Sequence, residues 1–176
     1  MCVNISRANL AAAVANEGAV GTSAITGGSN ASSATTMMEE LRDQIRKARR
    51  QTSGVLAVNI LVALVNYDSI VKTAAEEGID IIISGAGLPL SLPKLVEGTK
   101  TKICPIVSSA RTAELICRTW QRRYQRLPGA VIVEGPMAGG HLGYTFSELS
   151  SGPLSGMLEK ILTRRMNSLV LPSFVF

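Results

Sequence analysis

Five short runs of β-branched and other apolar residues recur along this chain, each apolar on both of its faces. They begin near residues 19, 55, 79, 102 and 130, so 23 to 36 residues separate one start from the next. A strand that is apolar on both faces must be covered on both, which is the condition of a parallel sheet flanked by helices. Parallel neighbours also need a long crossover, and this spacing suits a helix with two loops. The chain is therefore expected to be α/β, either an open doubly wound sheet or part of a barrel.

The segments between the runs carry helix signals. Ser6 is expected to cap a short helix through Asn16, with Leu10, Ala13 and Val14 facing inward and Gly18 ending it in a left-handed conformation. A strand over Ala19 to Ser23 follows, then a surface loop from Thr26 to Thr36 rich in Gly, Ser, Thr and Asn. Thr36 and Glu39 have capping-box spacing, Met38, Leu41, Ile45 and Ala48 form one apolar face, and Arg46, Lys47, Arg49 and Arg50 sit where the helix dipole favours cations. Val55 to Val62 is an apolar run interrupted by Asn59, and a helix from about Asp68 to Glu77 can end at Gly78. Ile79 to Ser84, Ile103 to Val107 and Ala130 to Val133 complete the strands. Past about Ser150 the rhythm weakens: Gly152, Pro153 and Gly156 punctuate it, a helix is expected over Ser155 to Met166, and Ser168 to Phe176 is apolar up to the last residue.

Composition narrows the function classes. With 46% apolar and 18% charged residues the chain is that of a globular domain, and its net charge of +5 mildly favours an anionic ligand. Arg118, Arg122, Arg123 and Arg126 interleave with Trp120 and Tyr124, a pattern open to reading as an RNA-stacking surface. Ala113, Ile116, Cys117, Trp120 and Tyr124 nevertheless recur at helical spacing, so they read as a buried stripe with the arginines on the solvated face and no nucleic-acid role. Cys2, Cys104 and Cys117 form no C-x-x-C pair, and with a single histidine they make neither a disulfide framework nor a metal site. No apolar run approaches the length of a membrane span and no leader pattern opens the chain, so no membrane role and a cytoplasmic location are expected.

Polar and glycine residues gather just after the strands: Asn59 within the second, Ser84 to Gly87 after the third, Ser108 and Ser109 after the fourth, Glu134 to Gly143 after the fifth. In parallel α/β folds the C-terminal strand ends form the ligand face. A glycine after a strand is commonly only a turn, and that reading stands beside the functional one for Gly85 and Gly87. The stretch GPMAGGHLG, Gly135 to Gly143, carries more weight. Its glycines allow backbone to approach a flat ligand, and an imidazole with an ordinary pKa of about 6.5 can take a proton at neutral pH. A structural, hydrogen-bonding histidine is the competing reading. No P-loop, dinucleotide fingerprint or serine elbow is present.

The segments ISRANLAAAVANEGAVG, VNILVAL, IDIIISGAGLPLSLPKL, CPIVSSARTAELI and VIVEGPMAGGHLGYT, in that order, closely resemble the nitronate monooxygenase family, formerly called 2-nitropropane dioxygenases. The resemblance covers residues 1 to about 148. Its last motif, a strand followed by E-G-P-x-A-G-G-H-x-G, is shared in looser form with flavin-dependent enoyl-acyl-carrier-protein reductases. The resemblance implies a TIM barrel holding FMN at the C-terminal strand ends and oxidising alkyl nitronates with O₂ to carbonyl compounds and nitrite. It makes His141 the catalytic base and Asn59 a flavin contact, sets Gly139 and Gly140 beside the flavin, and puts Gly85, Ser108 and Glu134 on matching strand ends.

Two departures shape the expectation. The family's first strand with its Gly-Gly-Met turn has no counterpart here, and the strands whose glycine-rich ends bind the FMN phosphate are not found after Glu148. The expected architecture is thus a partial (β/α)₈ barrel of about five parallel strands over residues 1–148, with a divergent or truncated tail over 149–176. Such a chain is expected to bind FMN poorly by itself and to self-associate through exposed strand edges. An FMN-dependent enoyl or quinone reductase and a non-catalytic partial gene product are the alternatives to nitronate oxidation.

Overall fold

A computed structural model describes residues 5–24, 34–136, 138, 143–144, 147 and 174–175. Its strands are β1 (Gly21–Ser23), β2 (Leu56–Leu61), β3 (Ile81–Gly85), β4 (Lys102–Val107), β5 (Val131–Val133) and β6 (Phe174–Val175). Between them run α1 (Ala8–Asn16), α2 (Ala34–Arg49), α3 (Tyr67–Glu76), the short α4 (Leu92–Leu95) and α5 (Ala110–Tyr124). All five strand pairings are parallel, and the strands lie side by side in sequence order from β1 to β6.

That order decides between the two α/β architectures. A doubly wound sheet reverses its strand order at a switch point and carries helices on both faces. Here there is no reversal, and the two faces of the sheet differ. Leu56, Val58, Ile60, Ile82, Ile103, Val107, Val131 and Val133 join one large core with α1, α2, α3 and α5. The alternate residues Ala57, Ile83 and Cys104, with Ile81, Ile106 and Ile132, form a second cluster made up almost wholly of strand residues. Among the described residues, helices cover one face and strand side chains fill the other, which is the arrangement of barrel staves, so the chain is a partial (β/α)₈ barrel. The five expected strands are present, and Phe174–Val175 adds a short sixth beside β5.

Most local expectations hold. Gly18 and Gly78 take positive φ (82° and 70°) just past the ends of α1 and α3, as helix terminators should. Leu41, Ile45 and Ala48 are buried along α2 with Met38 packed beside them, and Ala113, Ile116, Cys117 and Trp120 are buried along α5. Arg118, Arg122 and Arg123 lie on the exposed side of α5, as expected, whereas Arg126 follows the helix, is half-buried and donates to the Thr101 carbonyl. Arg42 and Arg46 pair with Glu77, tying α2 to the end of α3.

Three details differ from the sequence reading. The buried face of α1 is Ala8, Ala11, Ala12 and Ala15, while Leu10 and Val14 are 46% and 36% exposed and Ala13 is exposed too. The reason is close approach: a Cβ on Gly21 would stand 1.9 Å from the Ala11 carbonyl oxygen, and one on Gly54 2.4 Å from that of Ala15. A helix that lies backbone-on-backbone has room only for methyl groups at the contact, so size overrides hydrophobicity. Ser6 does not cap this helix; the Gln44 side chain accepts from the Ala8 N–H instead, at 3.1 Å. Finally, α2 starts at Ala34, which puts Thr36 inside its first turn rather than at its cap. The helix expected over Ser155 to Met166 lies outside the described residues.

Candidate functional site

The pleat sorts the strand-end residues by face. Asn59 is in register with Ile83, and Ile83 with Cys104, which puts Asn59 on the inner face, whose cluster holds no helix residue among the described residues. Its carboxamide oxygen is buried and has no hydrogen-bond partner among the described residues. A buried acceptor left unpaired costs about 1–3 kcal/mol, so such groups are normally satisfied by something, and on the inner face, two residues before the end of β2, a bound ligand is one source of the donor. Ser84, one residue before the end of β3, points the other way. Its hydroxyl donates to the Ile60 carbonyl (3.1 Å), so it accepts from the Tyr67 hydroxyl at 2.8 Å. Burial pushes the Tyr67 phenol up to about 12. This pair fastens α3 to the sheet.

Gly85 ends β3 on the inner face, in register with Leu61. A Cβ there would meet the Ile106 side chain at 2.9 Å, so the space beside Gly85 is filled by the neighbouring strand. The next two residues both take positive φ, Ala86 at 52° and Gly87 at 142°, and a Cβ on Gly87 would stand 2.9 Å from Val62. Left-handed backbone at a non-glycine residue is uncommon and tends to mark places where geometry matters more than local stability. The turn is held from outside by Trp120, whose indole N–H donates to the Pro89 carbonyl at 3.0 Å. A groove between Val62, Tyr67, Leu88 and Ser91 opens beyond it, and Asn59 does not line it.

Ser108 and Glu134 follow β4 and β5 directly and meet at a third residue. The Ser108 hydroxyl donates to the Gly143 carbonyl, and the Gly143 N–H donates to a Glu134 carboxylate oxygen, both at 2.8 Å. The Tyr144 hydroxyl donates to the Glu134 carbonyl at 2.8 Å, and the Glu134 N–H to the Val107 carbonyl at 2.8 Å. No hydrogen bond joins Asn59 to this cluster among the described residues. His141, Gly139 and Gly140 lie outside the described residues. Gly143 and Tyr144 were not singled out as site residues in the sequence; a glycine two places after the histidine was the available signal.

Cys104, at the centre of the inner face, is shielded from solvent, and burial pushes its thiol up to about 11. That keeps it protonated and unreactive at neutral pH. No cluster of three or more metal-ligating side chains occurs among the described residues, and none of their helices is long and apolar enough to cross a membrane.

No protein-family model and no curated protein sequence matches the chain. Solved structures do. FabK from Thermotoga maritima superposes with a TM-score of 0.64 at 31% identity, over 79% of this chain and 40% of FabK; a mutant form of FabK gives the same score over 42% of its length. A nitroalkane oxidase from Streptomyces ansochromogenes superposes with a TM-score of 0.72 at 16% identity, over 92% of this chain and 53% of the oxidase. The chain thus spans about half or less of the structures it is similar to. These neighbours agree with the resemblance read from the sequence: the nitroalkane oxidase shares the fold, and FabK shares it with higher identity.

Proposed function

We propose that this chain carries the substrate end of a flavin site and that the site oxidises alkyl nitronates with O₂ to a carbonyl compound and nitrite. The observation that carries the reading is Asn59, whose buried carboxamide oxygen lacks a partner at the position the family resemblance gives to a flavin contact. A polar group held dry and unpaired on the inner face of a barrel stave fits a ligand with a hydrogen-bond donor there.

Bound at these strand ends, FMN would supply the redox chemistry, accepting electrons from the substrate and passing them to O₂. The chain's own residues have simpler tasks. Asn59 offers its oxygen to the flavin, and Gly139 and Gly140 keep side chains away from it. Gly85, Ser108 and Glu134 shape the rim, and the net charge of +5 favours an anionic nitronate over its neutral acid. His141 takes the proton from the carbon acid when the substrate arrives as a neutral nitroalkane. A second reading, reduction of an enoyl thioester or a quinone with NAD(P)H, draws support from the looser form of the E-G-P-x-A-G-G-H-x-G motif. The identity to FabK, 31% against 16% for the nitroalkane oxidase, keeps that reading in play.

Reduction of the flavin separates them. FMN, which a chain of this length is expected to hold weakly, is titrated into the protein until its fluorescence shows the site filled, and preformed alkyl nitronate or NAD(P)H is then added without oxygen. Bleaching of the bound flavin by nitronate alone is the expected result; bleaching by NAD(P)H alone moves the assignment to the reductase. Bound flavin that neither reagent bleaches refutes an oxidoreductase role for this chain. In protein that turns over, His141→Ala should slow a neutral nitroalkane about 10²- to 10⁴-fold more than its preformed nitronate, the usual worth of general-base assistance. Equal losses on the two substrates would remove the base role.

A further inference from the structure

The loops after β2 and β3 enclose a groove of about 490 Å³, within the roughly 300–1,000 Å³ usual for small-molecule sites. Val62, Leu64, Val65, Leu88 and Pro89 supply its apolar lining, and Asp68 is the only charged residue among those that line it. Val65 is fully exposed and Leu88 is 44% exposed. A single exposed apolar side chain is ordinary, but here two loops from separate strands each present one at the same groove. Its walls are fixed. The backbone of Gly87 lies against Val62, where a Cβ would stand 2.9 Å away, and the left-handed Ala86 (φ 52°) brings the chain round to that contact. The Val62 N–H donates to the Gly85 carbonyl at 2.9 Å, the Trp120 indole holds the Pro89 carbonyl, and the Tyr67 hydroxyl is bonded to Ser84. A strained turn persists only where its surroundings hold it, and a groove with fixed walls needs little ordering when a ligand binds.

We propose that this groove is the subsite for the alkyl chain of the substrate, and that Val65 and Leu88 set its preference for chain length. The proposal rests on the reading of these strand ends as the substrate side of a flavin site. Val62 directly follows the last residue of β2 and lies three residues beyond Asn59, about 10 Å along a strand. A substrate whose reacting carbon sits by a flavin at Asn59 therefore reaches the groove with a chain of several carbons and misses it with a short one. Charge decides what that chain carries at its far end. Asp68, in the first turn of α3, already meets the positive end of that helix, and no lysine or arginine lines the groove, so nothing there favours a phosphate or carboxylate. The occupant is an uncharged hydrocarbon. Full burial of one methylene is worth about fourfold in affinity, and a groove open on one side covers about half of it, which leaves about twofold for each methylene.

The chain's single tryptophan reports on the groove without flavin or turnover, because its indole N–H is bonded to the Pro89 carbonyl in the groove wall. The preformed nitronates of nitroethane, nitrobutane, nitrohexane and nitrooctane are titrated into the full chain, and the one indole N–H cross-peak is followed by NMR. The peak should move with an affinity that rises about twofold per methylene from the butyl compound upward, and the ethyl compound should leave it in place. Leu88→Ser and Val65→Ser, both at exposed side chains whose loss the fold tolerates, should each weaken the octyl compound about fourfold, the worth of one fully buried methylene. An indole peak that the octyl compound does not move, or an affinity independent of chain length, would overturn the subsite. So would a chain-length dependence that survives intact in both variants. Bleaching of the flavin is a separate readout: long-chain selection beside a bound flavin that neither reagent bleaches would leave the subsite standing and refute the oxidation, and bleaching by nitronate without chain-length dependence would refute the subsite alone.

Discussion

Replacing Gly21 with alanine tests the contact on which the first βα unit depends. The added methyl would sit 1.9 Å from the Ala11 carbonyl oxygen and 2.8 Å from its carbon, against ordinary contact distances of 3.4–4 Å. The obstacle is helix backbone, which cannot swing aside as a side chain would, so α1 must lift off β1 by roughly the missing 1.5 Å. Lifting it loosens Ala8, Ala11, Ala12 and Ala15, the buried face of α1. Four methyls at about 0.8 kcal/mol each set a ceiling of about 3 kcal/mol on the loss. The unfolded chain offsets part of it, because alanine is less flexible than glycine by about 0.4–1 kcal/mol. A net destabilisation of about 2 kcal/mol remains, within the usual range for overpacking. With a urea m-value of about 2 kcal/mol/M, the unfolding midpoint should fall by about 1 M. Amide exchange should quicken across Ala11 to Ala15 in the same variant, which ties the loss to this helix. A midpoint equal to or above that of the parent protein, with α1 amides still protected, would refute the backbone-on-backbone packing.

Two further outcomes follow from buried titratable groups. Tyr67 holds its proton to about pH 12, so one of the three tyrosines should ionise about two pH units late in an alkaline absorbance titration, and Tyr67→Phe should abolish that late phase. Because the folded value is raised, the associated stability is fully present below pH 10 and is lost as the pH climbs from about 10 to about 12; a stability flat across that window would contradict the burial of the phenol. Cys104 and Cys117, both pushed up to about 11 by burial, should resist a thiol reagent at neutral pH and react together on unfolding; labelling of either at the rate of a free thiol would place it at the surface instead.

What the sequence revealed was whatever depends on neighbours along the chain. Gly18 and Gly78 announced the ends of two helices because a left-handed residue just past a helix is a local requirement. Asn59 stood out as the polar interruption of an apolar run, and it proved to be the residue with the unpaired buried oxygen. The face of α1 was misread because Leu10 and Val14 are more hydrophobic than alanine, while the choice was made by Gly21 and Gly54 from outside the helix. Thr36 and Glu39 had the right spacing for a cap, yet the helix began two residues earlier. The meeting of Ser108 and Glu134 on Gly143 joins positions up to 35 residues apart, and no periodicity encodes such a contact. Nor did the apolar end of the chain reveal that Phe174 and Val175 pair with β5.

The sequential order of the staves also bears on how the chain emerges from a ribosome. Paired residues lie between 21 positions apart, as for Ile81 and Lys102, and 43 apart, as for Val131 and Phe174. At a synthesis rate of about 5–20 residues per second, a newly made strand waits about 1 to 9 s for the neighbour that covers its free edge. The interval is longest for β5, whose partner comes last, and the earlier staves are closed in the order in which they are translated. Exposure of sticky backbone during production is thus metered by translation rather than by a search through distant chain.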